Sequence, residues 1–255
     1  MSYRSVFLAA GLIFTSVAGV GPVFAQQSTS AADGSALTPA QRAAVNALIR
    51  QELVEDPSIL RAAIGALQAQ DQASQANAQG KAIAAAQPEL VSNAADPSIG
   101  NPHAPITVVE FYDTRCPYCR VMRPEFSALV KQNPNVRVVF KDIPILGDNS
   151  VVEAHALLAA QRQGGYEKMQ AALMTEPAPP TESHLRNLAD QLGLNGNQLI
   201  HDMSDPAITQ RLTANTTLAQ QLGITGTPGI IVGTQLVPGA ISLDDLQKLV
   251  AAQAS

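Results

Sequence analysis

The stretch of chain that most constrains the fold runs from Pro105 to Cys119, PITVVEFYDTRCPYC. Its first eight residues are β-branched, aromatic or apolar nearly throughout, the pattern of a strand buried on both faces. A C-x-x-C motif follows at once. Met122, Phe126, Leu129 and Val130 then recur at helical spacing, and VRVVFK at 136–141 reads as a second strand. Strand, helix, strand in this order is a βαβ unit, with Cys116 where the first strand hands over to the helix.

Cys116 and Cys119 are the only cysteines in 255 residues. Their meaning depends on the compartment. Arg4, an apolar run over Val6–Val20 and the small-x-small site Val23-Phe24-Ala25 make residues 1–25 a secretory signal peptide. The run falls short of the ~20 residues a spanning helix needs. The mature protein is therefore expected to be exported, and the compartment is read as periplasm. In an oxidising space a cysteine pair is usually a staple, but a staple stabilises by closing a long loop, and C-x-x-C closes almost none. Structural zinc needs four ligands, and the four histidines are scattered at 103, 155, 184 and 201. Redox chemistry or a soft metal remains. The net charge of −5 and 4% aromatic content argue against a nucleic-acid partner.

Ahead of the βαβ unit lies a helical region, taken as 26–95. Thr38-Pro39 reads as an N-cap with proline in the first turn. Val45, Leu48, Ile49 and Leu53 form an apolar stripe, Asp56-Pro57 separates a second helix, and Ile59, Leu60, Ile64 and Leu67 continue the stripe. From Gln68 to Gln87 the chain is nearly pure Ala and Gln, a helix former with little to bury, and either a solvated spacer or a stalk. Two amphipathic helices ahead of such a stretch need a partner, and a second copy through 38–67 is the natural one. Asp96-Pro97 and Asn101-Pro102 mark the boundary to a domain over 96–255. Ser150-x-x-Glu153 reads as a capping box before a helix reaching Gln163. Further helices are expected near 166–174, 183–192, 195–203 and 206–223. A hairpin follows over 229–237, turning at Gly233-Thr234, and a last helix is capped by Ser242.

A thiolate, not a thiol, is the nucleophile, and a helix N-terminus favours it. Cys116 stands at such an end, and Pro117 suits the first helical position. Cys116 is expected to be the exposed attacker and Cys119 the more buried resolving thiol. Two distant features join them. Thr227-Pro228, just before the hairpin, is a candidate cis peptide bond. Pro124 sits inside the helix that starts after Cys116 and should kink it.

Strand, CPYC, Pro124, helical block, Thr227-Pro228, hairpin and final helix together resemble the periplasmic disulfide oxidoreductases of the DsbA type, over about residues 96–255. The segment TPAQRAAVNALIRQELVEDPSILRAAIGALQ is similar to the helical extension of the ScsC-like subset, in some of which it trimerises the protein and gives isomerase behaviour. The resemblance implies an α/β thioredoxin fold with a helical domain inserted at about 148–222, preceded by an α-helical N-terminal extension. It implies Cys116 as nucleophile, Cys119 as resolving cysteine, Pro117 and Tyr118 as the dipeptide that tunes the potential, and Thr227 before the cis-Pro at 228. Tyr118 stands where the strongest oxidase has His, and Tyr lacks the positive charge that steadies a thiolate. Glu110 matches the family's buried acid, able to accept the proton of Cys119, with Lys141 as a conceivable counter-charge.

Three functions are compatible with these residues. One is an oligomeric disulfide isomerase acting on cysteine-containing exported clients, reset by a membrane redox partner and needing no cofactor. A second is a monomeric dithiol oxidase. The third is a Cu(I)-binding copper-stress protein, in which Cys116, Cys119 and Met122 supply three soft donors along one helix.

Overall fold

The computed structural model describes residues 37–93, 95–175 and 178–253. The signal peptide expected over 1–25 and the leader expected up to 36 lie outside them. The chain divides into two compact units, Met1–Ala62 and Ala63–Ser255.

The described part of the first unit is helical. Helix α1 (Pro39–Glu55) starts at a capping box in which the Thr38 hydroxyl accepts from the Gln41 amide and Gln41 Oε1 accepts from the Thr38 amide. It ends at Asp56, and α2 (Pro57–Ala85) starts at the following proline, as Asp-Pro predicts. No residue of α1 is buried. The apolar stripe stands in solvent: Leu48, Ile49, Ile59, Leu60, Ile64 and Leu67 are all exposed.

The second unit is a thioredoxin fold built on a five-stranded mixed sheet of order β1-β3-β2-β4-β5. The strands are β1 (Ser98–Gly100), β2 (Ile106–Tyr112), β3 (Val136–Asp142), β4 (Gly229–Val232) and β5 (Gln235–Pro238). β2 and β3 run parallel, joined by α4 (Pro117–Gln132), and β4 lies antiparallel on the other side of β2. The hairpin β4–β5 turns at Gly233, whose φ of 63° suits glycine. β1 was not visible in the sequence; it is a three-residue edge strand antiparallel to β3.

Strand alternation divides the core. Val108 and Tyr112 of β2, with Val138 and Phe140 of β3, face Phe126 and Leu129 of α4 and Leu246 and Val250 of the last helix, α10 (Leu243–Ala251). Val109 and Phe111, with Val139, face the opposite side. That side is closed by the end of α2 and by α3 (Gln87–Val91): Ile83 and Leu90 are fully buried there. Residues 83–91, assigned to the extension from sequence, thus pack on the sheet. Gln79 Nε2 donates to Leu222 O at 3.2 Å and Gln87 Nε2 to Gly233 O at 3.0 Å.

Between β3 and β4 the chain inserts α5 (Asp148–Arg162), α6 (Tyr166–Thr175), α7 (Glu182–Gln191), α8 (Gly196–Met203) and α9 (Pro206–Gln221). The capping box expected at Ser150 and Glu153 is not formed. The helix begins three residues earlier, with Gly147 as N-cap, so Ser150 and Glu153 both lie inside it and are buried. Glu153 turns to the loop after β2 instead.

Lys141 is not the partner of Glu110. Parallel register sets Glu110 beside Phe140, so Lys141 projects from the other face. There its ammonium bonds Asp96 and donates to Glu89 O at 2.7 Å. Arg211 Nη2 of α9 reaches the other Asp96 oxygen at 3.1 Å. This knot joins the segment ahead of β1 to β3 and α9. The Lys141 and Asp96 side chains are 3% and 2% exposed, so removing one member strands a charge in a dry site. Asp96→Ala is expected to cost about 3–5 kcal/mol in denaturant unfolding, far more than loss of a surface pair.

Candidate active site

β2 ends at Tyr112, and the turn that follows is tied down by its own first acid. Asp113 Oδ1 accepts from Arg115 N at 2.8 Å, and Oδ2 accepts from Ile145 N at 2.9 Å and Leu146 N at 3.1 Å. Glu153 of α5 holds the next two residues: Thr114 Oγ1 donates to it at 2.6 Å and Arg115 Nη1 at 2.7 Å. Sequence reasoning missed Glu153, because the motif around it reads equally well as a surface cap. The turn thus delivers Cys116 to the start of α4 from a fixed frame.

Cys116 is the N-cap of α4, with extended backbone, and Pro117 is the first helical residue. The helix continues as one element through Pro124, whose missing N–H leaves the Arg120 carbonyl without its intrahelical donor. Both cysteines are free thiols. Cys116 Sγ donates to Thr227 O at 3.2 Å. The Thr227–Pro228 peptide bond is cis. Residues 111 apart in sequence therefore meet at one sulfur. Cys116 was expected to be exposed; it is 4% exposed, because the Thr227–Pro228 loop covers it, and Tyr118 beside it is 64% exposed. Cys119 is fully buried on the inner side of α4.

Glu110 lies on the α4 face of β2, 1% exposed, and its Oε1 has no hydrogen-bond partner among the described residues. Burial pushes its carboxyl well above the usual carboxylate range, and the negative charges of Cys116 and Asp142 add to the shift. Burial likewise raises the Cys119 thiol far above an ordinary thiol, with the Glu110 carboxylate as the next cause. Two residues on, Tyr112 Oη lies 2.5 Å from Tyr166 Oη, and Tyr166 Oη donates to Asp142 Oδ1 and Oδ2, each at 3.0 Å. This cluster was not visible in sequence; its one signal is an acid closing the apolar strand VRVVFKD.

Met122 is fully buried, and its sulfur accepts from Ile241 N at 3.3 Å. It packs α4 against the segment before α10. Among the described residues no group of three or more His, Cys, Asp or Glu could hold a metal ion. No helix among them is long and apolar enough to cross a membrane.

A family model of the DSBA-like thioredoxin domain matches residues 107–251. This chain belongs to that family. A thioredoxin-like oxidoreductase from Silicibacter pomeroyi DSS-3 is 40% identical, with a TM-score of 0.62, covering 66% of this chain and 98% of its own. Proteus mirabilis ScsC, in a transitional conformation, is 31% identical with a TM-score of 0.61, over 86% of this chain and 98% of its own. The ScsC likeness therefore takes in helical residues ahead of β1. The Na(+)/H(+) antiporter NhaA 1 of Salinispora arenicola is 27% identical over 153 residues, 59% of this chain. Those residues are 24% of the antiporter, so the chain spans about a quarter of that curated relative's length.

Asp142 gives a pH prediction. Burial raises its carboxyl from 3.8 to about 7, against the hydrogen bonds of Tyr112 and Tyr166 and the charge of Arg211, which favour the anion. The folded chain therefore holds this proton more tightly than the unfolded chain. Stability falls as pH rises from 3.8 to about 7, and the loss is complete above it. Asp142→Asn is expected to flatten that part of the stability–pH curve, measured by urea unfolding at successive pH values.

Proposed function

We propose that this chain is an exported thiol–disulfide oxidoreductase that acts on protein disulfides through Cys116 and Cys119, working as an oligomeric isomerase. The observation that carries the chemistry is Cys116 at the N-cap of α4, its sulfur 3.2 Å from Thr227 O, with Cys119 buried behind it. Family membership and the 40%-identical oxidoreductase support the same class.

In this reading the Cys116 thiolate attacks one sulfur of a client disulfide. The client's other sulfur leaves as a thiolate, and a mixed disulfide joins Cys116 to the client. The unpaired amides of the first turn of α4 favour negative charge at Cys116. The Thr227 carbonyl and the cis Pro228 loop present backbone to an extended client segment, and Tyr118 offers an exposed ring next to the nucleophile. A free client thiolate then attacks the mixed disulfide, which returns Cys116 and leaves the client with a new pairing. Where that fails, Cys119 gives its proton to Glu110 and attacks Cys116 Sγ. The Cys116–Cys119 disulfide forms, the client leaves reduced by two electrons, and a membrane redox partner of the periplasm returns the electrons. Pro117 and Tyr118 set the potential of the pair.

The oligomer reading is supported by the solvent-exposed stripe of α1 and α2, which spans 38–67, and by the extent of the ScsC likeness. Several sites on one assembly hold a client between attacks, raising the local concentration of the second thiol.

Two experiments test this. Cys119→Ala should accumulate client mixed disulfides at Cys116, seen as species on non-reducing gels that reduction removes; none would form with Cys116→Ala. Ile49→Asp combined with Leu60→Asp places charge in the exposed stripe without touching the core. It should convert the oligomer to a monomer by sedimentation and abolish rescue of a scrambled multi-disulfide protein, with oxidation of a dithiol peptide unchanged. A wild-type monomer at micromolar concentration rejects the oligomeric isomerase and leaves a monomeric oxidase.

A further inference from the structure

The buried cluster beyond Glu110 has no part in the exchange steps above, and its position is unusual for polar groups. Glu110 and Tyr112 share one face of β2, and Phe140 and Asp142 share the same face of β3. The register pairs Glu110 with Phe140 and Tyr112 with Asp142. From strand spacing and rise, the Glu110 and Asp142 Cα atoms are about 8 Å apart on the diagonal. Both acids are almost fully buried, at 1% and 2% exposure. The space around them is closed by rings: Phe140 packs against Tyr112 at 5.7 Å and stacks on Tyr166 at 6.1 Å.

The two acids differ in what surrounds them. Asp142 is held by Tyr166, which Tyr112 contacts in turn, and Asn215 Nδ2 donates to the Asp142 backbone carbonyl at 3.2 Å. Gln170 of α6 also bonds Tyr112. Glu110 has an unpartnered oxygen. The charged groups near Asp142 are otherwise committed. Arg211 of α9 pairs with Asp96, Asp113 is consumed by three backbone amides, and Glu153 of α5 by Thr114 and Arg115. No other cation pairs with either acid among the described residues. Two carboxylates in one dry compartment cannot both ionise without mutual cost, so they titrate as a pair.

We propose that Asp142, clamped by Tyr166 and Tyr112, is a positioning residue that acts through Glu110: its charge strengthens Glu110 as the acceptor of the Cys119 proton. This rests on Glu110 being that acceptor, as proposed above. The proton leaves Cys119 Sγ for a Glu110 carboxylate oxygen, the Cys119 thiolate attacks Cys116 Sγ, and the client thiolate departs. Asp142 bonds to none of the reacting atoms. An ionised Asp142 makes the ionised form of Glu110 less favourable and its protonated form more so, which draws the proton from a thiol that burial otherwise keeps protonated. Tyr166 and Tyr112 hold the Asp142 anion in place without supplying a positive charge that would cancel its effect on Glu110.

The test is reciprocal titration in the full chain. The carboxyl carbons of Glu110 and Asp142 are followed by NMR with isotope-labelled Glu and Asp, in wild type, Asp142→Asn and Glu110→Gln. Asp142→Asn is expected to lower the Glu110 midpoint by about one pH unit, and Glu110→Gln to lower the Asp142 midpoint by a similar amount. In stopped-flow resolution of a Cys116–peptide mixed disulfide, Asp142→Asn should move the acid limb of the pH profile to lower pH and slow the plateau several-fold. Tyr166→Phe, which keeps the acid and removes its hydrogen bond, should raise the Asp142 midpoint and gives the same readout if Asp142→Asn fails to fold. Unchanged Glu110 and Asp142 midpoints in the reciprocal variants overturn the proposal. If Glu110→Gln itself leaves the mixed-disulfide profile unmoved, the fault lies with Glu110 as proton acceptor. If Glu110→Gln moves it and Asp142→Asn does not, Asp142 alone is excluded.

Discussion

The parallel pairing of β2 with β3 decides on which face of the sheet its buried acids and its buried lysine lie. With Glu110 beside Phe140 and Tyr112 beside Asp142, two acids and a tyrosine come to one face, the face that α4 and both cysteines occupy. The same register sends Lys141 to the other face, where it meets Asp96 and Arg211. A slip of β3 by one residue would exchange its two faces, placing a lysine beneath the cysteines and an acid against Phe111 and Ile83. The compartment under Cys119 is therefore lined by acids, because the sheet sends Lys141 to the other face and leaves the charge of Arg211 to act only on Asp142.

The two cysteines sit in different surroundings. Cys119 has an apolar surround with an acid nearby, and both conditions keep its proton on. Cys116 has a helix start, a carbonyl acceptor and an exposed neighbour in Tyr118. The division between an attacker and a resolving thiol thus follows from three residues of helical rotation: Cys116 caps the helix and Cys119 lies on its inner face.

Much of this was legible in the sequence. Uninterrupted β-branched runs gave β2 and β3 to within a residue, and Asp-Pro, Thr-Pro and Ser242 gave helix ends through chemistry that acts locally. The link between Cys116 and Thr227-Pro228 was legible only through resemblance, since 111 residues separate them. What stayed hidden depended on pairing between distant segments. β1 is too short for a period to show. Lys141 needed the β2–β3 register. Glu153 carries a cap motif, and nothing within its helix says that it bonds a loop 38 residues earlier. The Ala/Gln stretch reads as a spacer until Ile83, where one large apolar residue among alanines is the only sign that the helix has reached the sheet.

The bonds from Glu153 and Asp113 to the turn before Cys116 bear on how this protein can be altered. The inserted helices look like a module that could be exchanged between relatives, as a lid is. Yet α5 supplies the carboxylate that holds Thr114 and Arg115, and the β3–α5 loop supplies two of the amides that hold Asp113. The residue immediately ahead of the attacking sulfur is thus anchored in the insertion, not in the sheet. A transplanted insertion lacking an acid at the position of Glu153 would arrive with its own core intact and loosen the nucleophile's footing from outside the thioredoxin frame.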